Sequence, residues 1–250
     1  MKLAYVISFL LFLDISYSQD LYTYDKIDST LHAWQDIFGD TSHPSNDYNG
    51  FGIIYNLDTI GYSSQDNLPI YAVKLSAHAD IKEAQPRVLI LGQCHAEEIY
   101  GVEISMKMIY QFLHPEQFQE NRTFLQKGLY FTEIWIVPTY NPEGMRVVHG
   151  YVEDGDEIQD VTYRKNKRDT DNDGIFDFVN GIGQDTDGVD INRNYDFNWI
   201  FGDTLLQSCD PTVSDCSYND DYDYYKGEYP ESESETQAIV NLAREENFLL

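Results

Sequence analysis

The chain is organised around Val88-Leu89-Ile90-Leu91-Gly92-Gln93-Cys94-His95-Ala96-Glu97-Glu98, which an amphipathic segment from Ile99 to Leu113 follows. The apolar run predicts a buried strand, the polar residues predict a turn, and the segment after them predicts a helix. His95 and Glu98 are three residues apart, so we expect both side chains on one face of a first helical turn. An imidazole and a carboxylate that converge at the end of a strand suit Zn²⁺. The sequence therefore predicts part of a zinc site here.

Other segments of the chain show the same two patterns. The predicted strands are Phe51 to Tyr62, Leu68 to Ala77, Arg87 to Gly92 and Leu129 to Val137, and the predicted helices are Tyr24 to Phe38, Ile99 to Leu113 and Ser234 to Asn247. We expect a capping box of Ser234 and Gln237 to open the last helix. Strands that alternate with helices predict an α/β fold, a mixed central β-sheet with helices on both faces. Binding sites in such sheets lie at the carboxyl ends of strands, where His95 and Glu98 are placed.

The composition is strongly acidic, with 43 Asp and Glu residues against 16 Lys and Arg residues and a net charge of −27. We expect no nucleic-acid partner, because binding phosphates requires clustered basic residues. Such acidity suits solubility, a saline habitat or divalent cations, and the composition does not choose among them.

The first 18 residues have the pattern of a signal peptide: Lys2, an apolar core from Ala4 to Leu13, and a small-x-small cleavage pattern at Ser16-Tyr17-Ser18. We therefore expect a mature chain from residue 19 and a secreted or periplasmic location. The apolar run is shorter than the roughly 20 residues that span a membrane, so we expect no membrane span. We also expect a monomer. Export permits a disulfide between Cys209 and Cys216, and two free thiols are equally compatible with the sequence.

Basic residues beside the predicted metal site need a reason in so acidic a chain. Arg164 lies in Tyr163-Arg164-Lys165-Asn166-Lys167-Arg168, and Asn192 and Arg193 lie in Gly188-Val189-Asp190-Ile191-Asn192-Arg193-Asn194-Tyr195. An arginine fork binds a carboxylate through two hydrogen bonds. An arginine near a metal can also stabilise an oxyanion when a carbonyl is attacked. The alternative, equally compatible with the residues alone, is that these arginines only neutralise neighbouring aspartates.

Five motifs, in this order, resemble those of the zinc carboxypeptidases of the carboxypeptidase A/B type. They are HxxE at His95 to Glu98, NPEG at Asn141 to Gly144, RKNKR at Arg164 to Arg168, GVDINRN at Gly188 to Asn194, and SExET at Ser232 to Thr236. The resemblance runs from about Tyr24 to the end of the chain. It implies an exopeptidase whose partner is a peptide with a free C-terminal carboxylate.

The resemblance also implies a role for each matching residue. His95 and Glu98 match the first two zinc ligands, so Zn²⁺ is the expected cofactor. Arg164 matches the arginine that polarises the scissile carbonyl and stabilises the oxyanion. Asn192 and Arg193 match the pair that holds the terminal carboxylate of the substrate. A zinc-activated water would be the nucleophile, and Asn141 and Gly144 would build a turn.

The sequence departs from the family pattern in two ways. The third zinc ligand is expected to be a histidine soon after the last helix, and no histidine follows His149. We therefore expect residues 19–250 to be the N-terminal part of one catalytic domain, without its general base and inactive alone. Glu97 stands where digestive members often carry arginine, so a basic contact upstream of the cut is lost.

A second constellation is Asp169-Thr170-Asp171-Asn172-Asp173-Gly174-Ile175-Phe176-Asp177. Its carboxylates at positions 1, 3, 5 and 9 and its glycine at position 6 reproduce the front of a calcium-binding loop. The terminal glutamate of a full loop is missing, and the candidate substitutes are Asp185, Asp187 and Asp190. We expect calcium to fold the insertion at residues 165–188 and so to position Arg164 and Asn192. The alternative is a solvated acidic loop.

Two other functional classes remain open. One is a catalytically inactive, calcium-stabilised module that binds carboxyl termini. The other is a purely structural calcium-binding surface protein, which leaves the HxxE, RKNKR and GVDINRN segments unexplained.

Overall fold

The computed structural model describes residues 21–43, 46–181, 186–197, 199 and 223–248. The predicted signal peptide, Asp185, Cys209 and Cys216 lie outside the described residues. The strands are β1 Tyr55–Tyr62, β2 Pro69–Leu75, β3 Arg87–Gln93, β4 Glu133–Thr139, β5 Tyr151–Glu153 and β6 Asp156–Ile158. The helices are α1 Tyr24–Phe38, α2 Tyr100–Leu113, α3 Arg122–Phe131, α4 Pro142–His149 and α5 Ser234–Glu246. Short 3-10 turns lie at Asn46–Tyr48, Pro115–Gln117 and Ile191–Arg193.

A four-stranded mixed sheet in the order β1-β2-β4-β3 forms the centre of the fold. β2 runs antiparallel to both β1 and β4, whereas β3 runs parallel to β4. The parallel pair ends in register, with Gln93 opposite Thr139. The hydroxyl of Thr139 donates to Oε1 of Gln93 at 2.8 Å, and Nε2 of Gln93 donates to the carbonyl of Ala96 at 2.8 Å. The turns that leave β3 and β4 are therefore tied together at one edge of the sheet.

Helices cover both faces of the sheet, as the sequence predicts. Alternate strand residues point to opposite faces, so Val73, Leu75, Ile134 and Ile136 share a core with α1, α2 and α3. Ile70, Ala72, Trp135 and Val137 face the other way and pack against Ala238, Ile239 and Leu242 of α5. The two apolar cores fix the sheet between its helical layers.

Two predicted boundaries are wrong. Leu129 lies in α3 and not in a strand, because Leu125 and Leu129 are one helical turn apart and both are buried in the core. The NPEG segment opens a helix, since Asn141 caps α4 by accepting a hydrogen bond from the amide of Gly144 at 3.0 Å. At Leu129 the residues suit a strand as well as a helix, and at NPEG they suit a turn as well as the start of a helix. Packing against the rest of the fold decides in both places.

The predicted capping box of the last helix is also wrong. The N-cap position of α5 is Glu233, which has no side-chain capping bond, and Nε2 of Gln237 donates to the carbonyl of Glu231 at 2.8 Å. Glu233 instead accepts a hydrogen bond from Nδ2 of Asn166 at 2.8 Å. The predicted closure at Asn247 is confirmed by its left-handed φ of 51°.

The insertion that follows α4 is tied to the body of the fold by Lys167. This side chain is 2% exposed, and its Nζ lies 3.1 Å from Oδ1 of Asp66 and 2.5 Å from Oε1 of Glu153. The same ammonium group lies over the rings of Tyr151 and Phe176. An ammonium group this deeply buried needs such partners, so the start of the insertion is not simply solvated.

The β1–β2 turn receives two buried carboxyl groups from different helices. Oε1 of Glu235, in the first turn of α5, accepts hydrogen bonds from the amide and hydroxyl of Ser64 at 3.0 and 3.1 Å. Oε1 of Glu143, in the first turn of α4, accepts from the amides of Gln65 and Asp66 at 2.9 and 2.5 Å. Both glutamates are 0% exposed. The turn therefore holds two carboxyl groups close together away from water.

Within the described ranges, no helix has the length and apolar character required to cross a membrane.

Candidate metal centre and substrate site

The turn after β3 brings His95 and Glu98 together. Nδ1 of His95 lies 3.1 Å from Oε1 of Glu98. Both residues precede α2, which begins at Tyr100, so the expectation that they share its first turn is wrong. The amide of Glu98 instead donates to the carbonyl of His95 at 3.1 Å, and this tight turn brings the side chains to the same point.

The other ring nitrogen of His95 faces a buried aspartate and an arginine. Nε2 lies 3.3 Å from Oδ1 of Asp190 and 2.8 Å from Nη2 of Arg164. A proton on Nε2 suits Asp190 and leaves the lone pair on Nδ1, whereas a proton on Nδ1 suits Glu98 and lets Nε2 accept from Arg164. The first tautomer is the one that a metal at Nδ1 requires.

The residues present fit a zinc ion at this turn. His95 is 7% exposed, and its Nδ1 is buried with no hydrogen-bond partner among the described residues. That nitrogen faces a carboxylate oxygen, and imidazole and carboxylate are ligands that Zn²⁺ accepts. No third His, Cys, Asp or Glu joins this pair in a cluster of three within the described part of the chain. The pair offers two ligand atoms, fewer than the three or four protein ligands that zinc sites have.

Asp190 fixes Arg164 beside His95. This aspartate is 0% exposed, and its Oδ2 accepts a hydrogen bond from Nε of Arg164 at 2.9 Å. Burial acts to raise the pKa of Asp190, but the hydrogen bond with His95 and the charges of Arg164, His95 and Arg193 outweigh burial and lower it. Asp190 is thus held as a carboxylate. The interpretation of Asp190 as a calcium ligand is wrong, because both of its oxygens face this site.

Arg193 and Asn192 lie on the 3-10 turn that follows Asp190. Oδ1 of Asp190 accepts a hydrogen bond from the amide of Asn192 at 2.9 Å and caps this turn. The guanidinium of Arg193 lies 5.4 Å from the ring centre of Tyr224, and that of Arg164 lies 4.9 Å from the same centre. The structure thus brings both arginines to one ring, while the side chain of Asn192 is exposed.

Tyr224 has no distinct signal in the sequence. It stands in a segment crowded with tyrosine and aspartate, in which the residues alone single out no one tyrosine. Its ring contacts two arginines that lie 29 positions apart, which only the folded chain shows. Asp190 had a signal, the GVDINRN segment, although the residues alone do not give its role.

The acidic insertion brings three of its four candidate ligands together. Oxygens of Asp169, Asp171 and Asp173 lie within 4.8 Å of one another, and no other such group of three occurs among the described residues. Asp177 lies outside this group, and its Oδ2 accepts a hydrogen bond from the hydroxyl of Thr186 at 3.3 Å. Asp187 holds the loop, accepting from the amides of Thr170 and Asp177, each at 2.8 Å.

The negative carboxylates of the insertion repel one another. The hydrogen bond from the amide of Asp173 acts to lower the pKa of Asp171, but slight desolvation and the negative charges of Asp173, Asp169 and Asp187 raise it. Repulsion of this kind is what a bound cation would relieve.

Comparisons with known proteins decide the family. The zinc carboxypeptidase family model matches residues 50–250. The chain belongs to the zinc carboxypeptidase family. Mouse (Mus musculus) mast cell carboxypeptidase A is 27% identical over 187 residues, covering 74% of this chain and 35% of the relative. A zinc carboxypeptidase of Saccharothrix mutabilis subsp. capreolus is 26% identical over 161 residues, covering 64% and 30%.

Solved structures show the same fold. The chain resembles thrombin activatable fibrinolysis inhibitor with a TM-score of 0.62 and 19% identity, over 92% of this chain and 45% of that one. It resembles carboxypeptidase A from Helicoverpa armigera with a TM-score of 0.62 and 19% identity, over 90% and 43%. The predicted fold is confirmed. The chain spans 35% and 30% of the length of the two curated zinc carboxypeptidase relatives described above.

Proposed function

We propose that the protein is an exported zinc carboxypeptidase that hydrolyses the C-terminal peptide bond of peptides. One observation carries this proposal. His95 and Glu98, which would be two zinc ligands, lie beside Arg164, and Arg164 and Arg193 both lie against the ring of Tyr224. A metal beside a single arginine suits many hydrolases. A second arginine close to the first adds a binding group for a free carboxylate, which distinguishes an exopeptidase.

His95, through Nδ1, and Glu98 would hold zinc together with a third ligand from outside the described residues. A zinc ion bound there would activate water and polarise a carbonyl. Asp190 orients the imidazole of His95 from the far side of the ring, at 3.3 Å from Nε2. An ionised Asp190 would favour the tautomer that carries its proton on Nε2, and this tautomer leaves Nδ1 to the metal.

Arg164 would stabilise the negative oxygen that forms when the scissile carbonyl is attacked. Its Nε is held by Asp190, so the guanidinium is already oriented before the substrate arrives, and such preorganisation is what lowers a barrier. Arg193 and Asn192 would hold the terminal carboxylate. The distance between these two binding groups would confine cleavage to the last peptide bond.

The test uses the full-length gene product, N-blocked dipeptides and the same dipeptides with a C-terminal amide. We expect one zinc per molecule and hydrolysis of the free acids only. Glu98→Ala is expected to lose both zinc and activity, whereas the exposed Glu116→Ala is the control that keeps both. Full zinc content and full activity in Glu98→Ala would contradict the ligand assignment, and equal hydrolysis of the amides would contradict the carboxylate site.

A second candidate function is a catalytically inactive module that binds carboxyl termini. The observation that supports it is that Arg164 and Arg193, the groups that would bind a carboxylate, both lie against the ring of Tyr224. The same experiment separates the two functions. Binding of the free acids without hydrolysis, at full zinc loading, would establish the module.

We further propose that Asp169, Asp171 and Asp173 bind calcium and stabilise the insertion. Two observations support this proposal: the spacing of the three residues along the chain, and carboxylate oxygens that lie within 4.8 Å of one another. Calorimetry with millimolar Ca²⁺ is the test, with Asp171→Asn as the variant that weakens binding. An absence of heat and of thermal stabilisation would refute calcium binding.

We also propose that the signal peptide is cleaved near Gln19 and that the protein is a monomer. N-terminal sequencing tests the cleavage, and light scattering tests the monomeric state.

A further inference from the structure

The ring of Tyr224 contacts both arginines of the proposed substrate site. The guanidinium carbon of Arg164 lies over this ring, 4.9 Å from its centre, and that of Arg193 lies over it at 5.4 Å. A ring face attracts a cation within about 6 Å of its centre, because the π-electrons make the face negative. One aromatic side chain therefore joins the two groups that, in the proposed function, bind negative oxygens of the substrate.

An aromatic partner differs from a carboxylate in what it leaves to an arginine. A guanidinium carries its N–H donors in its own plane, and a carboxylate partner accepts hydrogen bonds from them. A ring face attracts the charge as a whole, so it does not need to accept from particular donors. A carboxylate in the place of Tyr224 would compete with the carboxylate of a substrate, whereas a ring face does not.

The nitrogens of Arg164 show why this difference matters. Its Nε donates to Asp190 at 2.9 Å, and its Nη1 donates to Glu97 at 3.3 Å. Its Nη2 lies 2.8 Å from Nε2 of His95. A third carboxylate beside this guanidinium would leave it fewer donors for an oxyanion. The ring of Tyr224 adds attraction and leaves the remaining N–H groups available.

The two arginines do not depend on the ring equally. Both guanidinium groups lie near one ring centre, so their charges repel each other, and a face that attracts both offsets the repulsion. Without the ring, Arg164 would keep its hydrogen bond to the buried carboxylate of Asp190. We therefore expect removal of the ring to disturb Arg193 more than Arg164, and hence substrate binding more than the chemical step.

We propose that Tyr224 is a positioning residue whose ring holds the guanidinium groups of Arg164 and Arg193 in place and leaves their N–H donors to the substrate. This inference rests on the proposed function of the two arginines. Tyr224 acts through them, and the face of its ring is the part that acts. The hydroxyl group of Tyr224 is not needed for this role.

The experiment measures kcat and KM of the zinc-loaded full-length product on a blocked dipeptide with a free carboxylate. Tyr224→Phe keeps the ring face, so both constants should stay within about 2-fold of the wild type. Tyr224→Leu keeps an apolar side chain without a ring, so KM should rise about 10-fold while kcat changes less than about 3-fold. Tyr229→Leu is the control, an exposed tyrosine of the same segment, and should leave KM within about 2-fold.

Fluorinated phenylalanines at position 224 separate attraction by the ring from simple packing. Each added fluorine makes the ring face less negative while the size of the side chain changes little, so KM should rise with each step. This series also carries the test if Tyr224→Leu does not fold. A constant KM along the series overturns the inference. It is also overturned if Tyr224→Leu behaves like Tyr224→Phe, or if KM falls in Tyr224→Leu because the ring blocks the site.

Failure of the proposed function has a different signature. If the wild type hydrolyses no substrate, the peptidase proposal is overturned, and the role of Tyr224 is then tested by calorimetry with N-acetylphenylalanine as the carboxylate. Binding that weakens about 10-fold in Tyr224→Leu and is unchanged in Tyr224→Phe supports this role. Equal dissociation constants in the wild type and both variants, or no binding to the wild type, overturn it.

Discussion

Replacing Glu235 by glutamine tests how the buried carboxyl pair on the β1–β2 turn contributes to stability. Burial, followed by the charges of Glu143 and Glu233, raises the pKa of Glu235 from 4.5 to about 8. Burial and the charge of Asp66 also raise the pKa of Glu143, against the hydrogen bonds that this residue accepts. Two buried carboxyl groups this close cannot both ionise without cost, so the folded protein keeps a proton that the unfolded chain releases.

The sign of the pH dependence follows from this proton. The unfolded chain loses it near pH 4.5 and the folded protein near pH 8, so the contribution is complete below the first value and is lost as the pH rises toward the second. A separation from 4.5 to about 8 corresponds to at most about 5 kcal/mol, at about 1.4 kcal/mol per pH unit. Because part of the rise in the pKa of Glu235 comes from the charge of Glu143, whose own pKa is raised, we expect a loss of about 2 to 3 kcal/mol.

Urea unfolding between about pH 5 and about pH 9 measures this loss, because linkage acts on the free energy of unfolding. Glu235→Gln keeps an oxygen that accepts hydrogen bonds from Ser64 but removes the titrating group. The free energy of unfolding of this variant should therefore change less with pH than that of the wild type. Glu245→Gln removes the same charge from an exposed position of α5 and should follow the wild type. Parallel loss of stability in the wild type and Glu235→Gln would refute the reasoning.

Three further predictions concern buried groups. Asp190→Asn should weaken zinc binding about 10- to 100-fold without unfolding the chain, measured by competition with a chelator, because the orienting carboxylate is lost. Gly188→Ala should cost about 2 to 4 kcal/mol in urea unfolding, since its φ is +89° and a Cβ would lie 2.4 Å from the carbonyl of Asn166. Glu133→Gln should cost about 3 kcal/mol in the same assay, because Arg87 and Lys74 contact this buried carboxylate at 2.6 and 3.4 Å; a cost below that of Glu245→Gln would contradict this.

The sheet and most of its helices follow from periodicity alone. Tyr24–Phe38 is observed as the sequence predicts it, because Ile27, Leu31, Trp34 and Phe38 recur on one buried face. The error at Leu129 has a different origin. Its neighbours fit an alternating pattern as well as a helical one, and only the contact of α3 with the core selects the helix.

The sequence locates the site residues more easily than it assigns their partners. His95, Glu98 and Arg164 stand in recognisable segments, and the structure brings them together. The contact between Glu97 and Arg164 joins positions 67 residues apart, and spacing along the chain carries no information about it. Asp190 resembles any other aspartate of an acidic chain until its burial against His95 and Arg164 is seen.

Two backbone hydrogen bonds close the acidic insertion at its base, and we call this pair of bonds the neck. The amide of Asn166 donates to the carbonyl of Val189 at 3.0 Å, and the amide of Gly188 donates to the carbonyl of Arg168 at 2.8 Å. These bonds hold the segment of Arg164 against that of Asp190. The acidic cluster lies beyond them, in the loop that the neck closes.

We therefore predict that calcium and the proposed substrate site are separable, whereas the sequence predicts that calcium positions Arg164 and Asn192. A cation at Asp169, Asp171 and Asp173 would stabilise the loop beyond the neck, while the backbone bonds of the neck keep Arg164 beside Asp190. Asp171→Asn should thus remove thermal stabilisation by Ca²⁺ and leave KM for a peptide within about 2-fold, since a local opening need not reach the neck. A large rise in KM would show that the neck does not hold on its own and that the cation acts on both segments.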